Sequence, residues 1–145
     1  VSGPDPQGRR RAREAALQML YQIEVGRSDA LETIATYWST RDEGEPLEQS
    51  LREFSNGLVR GAVSRREEID AMLGAHATNW RVERMAVIDR LVLRLGVYEM
   101  LAEAETPSKV IINEALELAR SYSGEEAVGF VNGVLDAIRK ELRRT

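Results

Sequence analysis

Apolar positions along the chain recur every three or four residues, the helical period, and no stretch alternates strictly as a half-buried strand would. From residue 9 to 25 the spacing of Ala12, Ala16, Met19, Leu20 and Ile23 predicts an amphipathic helix, with Gly26 just past its end. Ser28-Asp29 caps a second helix running to Thr40, with Leu31, Ile34, Ala35 and Trp38 on its face. Residues 41–46 read as a polar loop. A long third helix is expected over 47–73, along a stripe that includes Leu51, Phe54, Leu58, Ala62 and Ile69. The charge run at its middle, Ser64 to Glu68, reads as a solvated face. These three helices predict one small bundle. Residues 74–80 then form a hinge, with Trp80 packed at the seam.

The second half begins with a helix over 83–103 that is apolar around most of its circumference, which predicts the central, most buried element. Only Asp89, Arg90 and Arg94 form a polar stripe, and Gly96 suggests a close helix approach. Two further helices follow. Ser108 is a candidate N-cap for the first, whose face carries Ile111, Ala115, Leu118, Ala119 and Tyr122. Ser123-Gly124 ends it, because Gly tolerates a left-handed backbone. Glu125 and Glu126 open the last helix, at the positive end of its dipole. Its apolar face is Val131, Val134, Leu135, Ile138 and Leu142. The expected fold is all-α, two small three-helix bundles packed together (about 9–73 and 80–143), after a flexible tail over residues 1–8 that holds two prolines and two glycines.

Three residues fit plain helix building less well. Asn113 and Asn132 read as amides in strongly apolar surroundings, and Gly133 sits in mid-helix, where it costs about 1 kcal/mol relative to Ala. Close packing of another backbone would account for the glycine. All three are read as packing and helix-connecting devices.

Charge narrows the picture. The net charge is −4, so the global balance does not favour a nucleic acid, but Arg9, Arg10, Arg11 and Arg13 crowd four guanidinium groups into five residues. A basic end on an acidic chain points to a local anionic partner. The placement opposes the helix dipole, so something must offset it, and a bound polyanion would. A solvated, partly frayed helix start is the plainer account. Cysteine is absent, which removes disulfide and thiolate chemistry and fits a reducing compartment. The lone histidine, His76, cannot build a zinc site and reads as a surface or interface residue. No Gly-rich phosphate loop, His-Cys cluster or Gly-x-Ser-x-Gly elbow occurs, and no catalytic constellation or cofactor site is found. Without a signal-like or membrane-length apolar run, the chain is expected in the cytoplasm.

The segments Pro107-Ser-Lys-Val-Ile-Ile-Asn-Glu-Ala115, Glu117-Leu-Ala119 and Phe130-Val-Asn-Gly-Val-Leu-Asp136 resemble the C-terminal signature of the NusB family of bacterial transcription antitermination factors. Arg9-Arg-Arg-Ala-Arg-Glu-Ala-Ala16, the pair Leu20-Tyr21 and Val92-Leu-Arg-Leu-Gly-Val-Tyr-Glu99 resemble it too, so the similarity spans about residues 9–142.

The resemblance implies a non-enzymatic, RNA-binding antitermination factor. In that family the arginine-rich helix start and the Ser-Gly turn come together on the boxA segment of ribosomal-RNA leaders. It implies phosphate contacts from Arg9, Arg10, Arg11 and Arg13, aromatic contacts from Tyr21, Tyr122 and Phe130, and a base-edge acceptor at Glu126. Core packing would explain Tyr122 and Phe130 equally well. Gly129 is a departure: better-known relatives carry a lysine there, and its loss should weaken binding by the protein alone. The implied partner is NusE, the small-subunit ribosomal protein, within a complex of NusA, NusG and RNA polymerase. Asp89 matches an acidic residue of the partner surface, although a pair with Arg90 or Arg94 would also employ it. Some members form homodimers, a state the chain leaves open. Two other readings stand beside this one. One is the RNA-binding domain of a ribosomal-RNA cytosine methyltransferase, which a chain ending at Thr145 disfavours. The other is a helical protein–protein adaptor whose arginines meet no RNA.

Overall fold

A computed structural model describes residues 6–40, 46–77 and 81–145. Seven α-helices make up the described residues, with one short 3-10 turn (Val82–Arg84) and no strand among them. The chain divides into two compact units, Val1–Val63 and Ser64–Thr145. Residues 1–5 of the expected 1–8 tail, residues 41–45 of the loop and Trp80 lie outside the described residues, while residues 6–8, expected in the tail, already belong to the first helix.

Unit 1 holds α1 (Pro6–Gly26), α2 (Ala30–Thr40) and α3 (Gln49–Ser64). Proline suits the first position of α1, where its missing N–H is no loss. The buried side of α1 is rich in alanine (Ala12, Ala15 and Ala16), with Leu17, Met19 and Leu20 adding bulk. Asp29 caps α2: its Oδ2 accepts from the Glu32 amide at 3.0 Å. Polar links fix the register of the three helices. Tyr37 of α2 donates to Gln18 of α1, and the Trp38 indole N–H donates to Asn56 Oδ1 of α3 at 2.8 Å.

Unit 2 holds α4 (Arg66–His76), α5 (Val87–Ala102), α6 (Ser108–Tyr122) and α7 (Glu125–Glu141). Helix α5 is the central element: it packs against α4, α6 and α7, and residues 90–97 are all buried. Gly96 lets α7 come close, since a Cβ there would meet Leu135 side-chain carbons at 3.1 Å. Arg94 is buried on α5 and grips Asp70 of α4 with two bonds, at 2.8 and 2.9 Å. His76, half-buried at the end of α4, contacts the Glu141 carboxylate on α7.

Several expectations need correction. The helix over 47–73 is two helices, broken at Arg65, whose φ of −107° and ψ of 20° leave the helical region. Its apolar stripe has a gap between Ala62 and Ile69, so a break inside the charge run sacrifices no core contact. The boundary between units falls there too, and α4 belongs with the second unit rather than with a bundle ending at residue 73. Asn113, Asn132 and Gly133 are exposed, not buried in apolar surroundings, and open space surrounds Gly133. The helical period carries them past the edge of the buried face. Ser108 is the first residue of α6 rather than its N-cap; Pro107 takes that place, and the Ser108 hydroxyl accepts from Arg144 Nε at 2.8 Å.

Candidate RNA-binding and partner-binding surfaces

The basic start of α1 comes first. Helical geometry distributes its arginines around the axis rather than on one face. Arg10 is exposed, Arg9 and Arg11 are half-buried, and Arg13 is 4% exposed. Arg13 therefore turns inward, where a solvent-facing phosphate contact was expected. The reason is an aromatic ring that the sequence pattern assigns only to the core stripe. Phe54 of α3 lies beneath both side chains, with guanidinium carbons 4.1 Å (Arg9) and 5.4 Å (Arg13) from the ring centroid. A ring face is electron-rich, so it holds a cation where the α1 dipole disfavours one. Phe54, not only a polyanion, offsets the unfavourable placement. Tyr21 is 43% exposed, three helical turns from Arg10 on the same side of α1, roughly 16 Å along the axis.

The α6–α7 turn carries the second group. Gly124 has φ 144° and ψ 164°, a backbone region essentially reserved for glycine. This conformation lets both the Ser123 and Gly124 amides bond the Ala119 carbonyl, at 2.8 and 2.9 Å, and lets α7 begin at once. A Cβ on Gly124 would meet Glu126 Oε1 at 2.7 Å, so the Glu126 carboxylate lies against the turn backbone. The two glutamates that open α7 differ in their commitments. Glu125 accepts from Arg120 Nε at 2.9 Å, an ion pair that raises the arginine pKa. Glu126 is exposed and forms no hydrogen bond or ion pair with the described residues, so its oxygens remain able to accept. Tyr122 is exposed at the end of α6, and Phe130 is half-buried on α7. Gly129, just before Phe130, is exposed with open space around it.

Asp89 stands apart, in the first turn of α5. The intramolecular pair considered for it is not made. Arg94 is committed to Asp70, and Arg90 donates to the carbonyls of Val82 and Met85, both at 3.3 Å. The Asp89 Oδ1 atom is shielded from solvent and has no hydrogen-bond partner. Burying an acceptor unpaired is costly, and the Ser55 hydroxyl and Arg90 Nε are buried in the same state.

Sequence reasoning missed two residues. Phe54 has no local signal, because an aromatic on a helical face reads as core. Arg144 sits in a charged C-terminal run that reads as solvent-exposed. Instead the chain turns back at Arg143 (φ 58°), and the Arg144 guanidinium donates to the carbonyls of Met100, Glu103 and Thr106. A cation there also suits the negative end of α5.

Comparison with known proteins places this architecture. The NusB family model matches residues 10–140. The transcription antitermination protein NusB of Koribacter versatilis is 45% identical over 134 residues, covering 92% of this chain and 90% of that protein. The Myxococcus xanthus protein of the same name is 42% identical over 136 residues, covering 94% and 97%. Among solved structures, T. maritima NusB superposes with a TM-score of 0.82 at 34% identity, covering 97% of this chain and 94% of that one. A structure of antitermination factors NusB and NusE in complex with dsRNA superposes with a TM-score of 0.78 at 28% identity, covering 93% and 98%. A match over almost the whole chain, carried by the same helices that bear the arginine cluster and the Gly124 turn, means that this chain belongs to the NusB family.

Proposed function

We propose that this chain is an RNA-binding transcription antitermination factor, which holds a boxA-like leader RNA together with NusE and links it to RNA polymerase in a complex with NusA and NusG. The observation that carries the reading is the arginine cluster at the start of α1, in a chain whose family relatives include one solved with NusE and RNA. Arg9, Arg10 and Arg11 take the phosphates, and neutralising them releases counterions. Exposed Tyr21 and Tyr122, with half-buried Phe130, offer faces on which unpaired bases stack. Glu126, its oxygens uncommitted, accepts from an exocyclic amine of a base. Asp89 meets the basic ribosomal protein, where an opposite charge satisfies its unpartnered oxygen. The reading assigns no catalytic step. The methyltransferase alternative is not favoured, since the curated relatives are antitermination proteins matched over 90% or more of their own length.

The test is binding of a labelled boxA RNA with and without NusE across a salt series, beside a scrambled strand and an RNA duplex. Preference for boxA, strengthened by NusE, is expected. Arg10→Ala with Arg11→Ala should flatten the log–log salt slope by about 1.4, two single-strand phosphate contacts. Equal binding of the scrambled strand, with and without NusE, would sink the reading in favour of a protein adaptor. Preference for the duplex would move recognition from bases to backbone shape, and Tyr122→Ala or Phe130→Ala would then leave affinity unchanged.

A further inference from the structure

Arg9 differs from its neighbours in how its two kinds of surface are used. Its guanidinium carbon lies over Phe54, 4.1 Å from the ring centroid, close enough for the planar group to stack on the ring. Its N–H edges form no hydrogen bond or ion pair with the described residues. A guanidinium is planar and all its donors lie in that plane, so a ring against the face leaves every donor available. Without the ring, a long side chain in the first turns of α1 would be spread over many rotamers, and the helix dipole would push its charge away. Phe54 sits on a different helix, α3, and is only half-buried, so it is not simply filling the core. The same ring also holds Arg13, which is buried against it and cannot offer its own edges outward.

We infer that Phe54 is a positioning residue for the nucleic-acid surface: it holds the Arg9 guanidinium flat, so that the in-plane donors meet an RNA phosphate already oriented. The inference rests on the RNA-binding reading above. Phe54 touches no RNA in this arrangement and acts through Arg9 alone.

A double-mutant cycle tests it. Affinity for single-stranded boxA RNA is measured for the wild type, Arg9→Ala, Phe54→Leu and the double variant, each over a salt series and each with a thermal melt without RNA. Arg9→Ala should lower the salt slope by about 0.7, one single-strand phosphate contact. Phe54→Leu should weaken binding about three- to fivefold in the wild type, the scale of one half-exposed cation–π contact, and should have no effect once Arg9 is gone. Phe54→Tyr, which keeps the ring, should restore affinity. An equal loss in both backgrounds would mean that Phe54 acts through the fold, and no loss in the wild type would mean that the contact is idle; either overturns the inference while leaving RNA binding intact. Wild-type protein that binds no RNA would overturn the functional reading and the inference with it. Should Phe54→Leu fail to fold, Arg9→Lys carries the test, because it keeps the charge without the planar fork. It should lose about the same three- to fivefold as Phe54→Leu while keeping the wild-type salt slope, and binding equal to wild type would overturn the inference.

Discussion

Arginines do different work in the two units. In unit 2 their donors are consumed internally. Arg94 clamps Asp70, Arg144 donates to three backbone carbonyls and to Ser108, and Arg120 is divided between Glu117 and Glu125. In unit 1 aromatic rings take part as well, although Arg52 Nε also donates to the Leu47 carbonyl at 3.0 Å. Arg9 and Arg13 lie on Phe54, and the Arg52 guanidinium lies 5.5 Å from the Trp38 centroid. A donor already bonded to a carboxylate must break that bond before it binds anything else. Arg9, over a ring and with no hydrogen bond to the described residues, has no such bond to break. On the proposed reading, this separates arginines that build the fold from Arg9, held ready for an external anion, a distinction that charge alone does not make.

The largest expected effect lies on the structural side. Arg94→Met removes the buried partner of a two-bond ion pair with part-exposed Asp70 and should cost about 3 kcal/mol in urea unfolding. Arg144→Ala exposes no new charge but strands carbonyls at the end of α5, and about 2 kcal/mol is expected. Both variants, once folded, should keep the wild-type RNA salt slope. A slope that flattened with Arg144→Ala would place that arginine among the binding ones and break the division.

Gly124→Ala joins the two kinds of effect. The backbone there is strained for any L side chain, and the added Cβ would strike the Glu126 carboxylate. A loss of about 2 kcal/mol is expected. RNA affinity should fall with it, since both the start of α7 and the Glu126 oxygens must shift. Affinity that survived intact would remove Glu126 from the binding surface.

How much of this was legible beforehand follows from the range of each signal. Helix existence is a local property, and the 3.6-residue period exposed it throughout, including the near-complete burial of α5. The break at Arg65 was hidden because Ser64 and Arg65 carry no Pro or Gly, and the charge run looks equally natural on a continuous helix. Asn113 and Asn132 were misplaced because apolar neighbours in sequence are not neighbours in space when the residue lies just off the buried arc. The arginine cluster and the Gly124 turn were visible as residue types. Which arginine turns inward was not, because it depends on Phe54, about forty residues further along the chain. Arg144 reads as solvent-facing charge for the same reason: its acceptors are backbone carbonyls, and any sequence has those.

Gly129→Lys sharpens the comparison by adding a cation one turn from Glu125 and Glu126, a surface pairing worth only tenths of a kcal/mol. The position is helical, exposed and open, so the side chain fits, and replacing a mid-helix glycine should stabilise the protein by about 0.5 kcal/mol. RNA binding without NusE should strengthen, with the salt slope steeper by about 0.7. Added stability without any change in slope would place this face of α7 away from the RNA.

The smallest effect is the surface counterpart of Arg94–Asp70. Arg65 donates twice to Glu68 across the start of α4, at 2.9 Å each, and that hydrogen bonding holds the Glu68 carboxyl below its ordinary value. A carboxyl depressed on folding contributes stability above its unfolded pKa, about 4.3, and loses it as pH falls through the lower folded value. Both side chains are well exposed, so water and salt weaken the pair. Glu68→Gln should therefore lower the melting temperature slightly at pH 7, and by a margin that vanishes toward pH 2 and in high salt. The loss from Arg94→Met should largely persist in high salt, because the Arg94 guanidinium is buried, where ions screen little. If both losses disappeared together in salt, the buried pair would be no different in kind from the surface one, and the internal commitment of the unit 2 arginines would not be what holds that unit together.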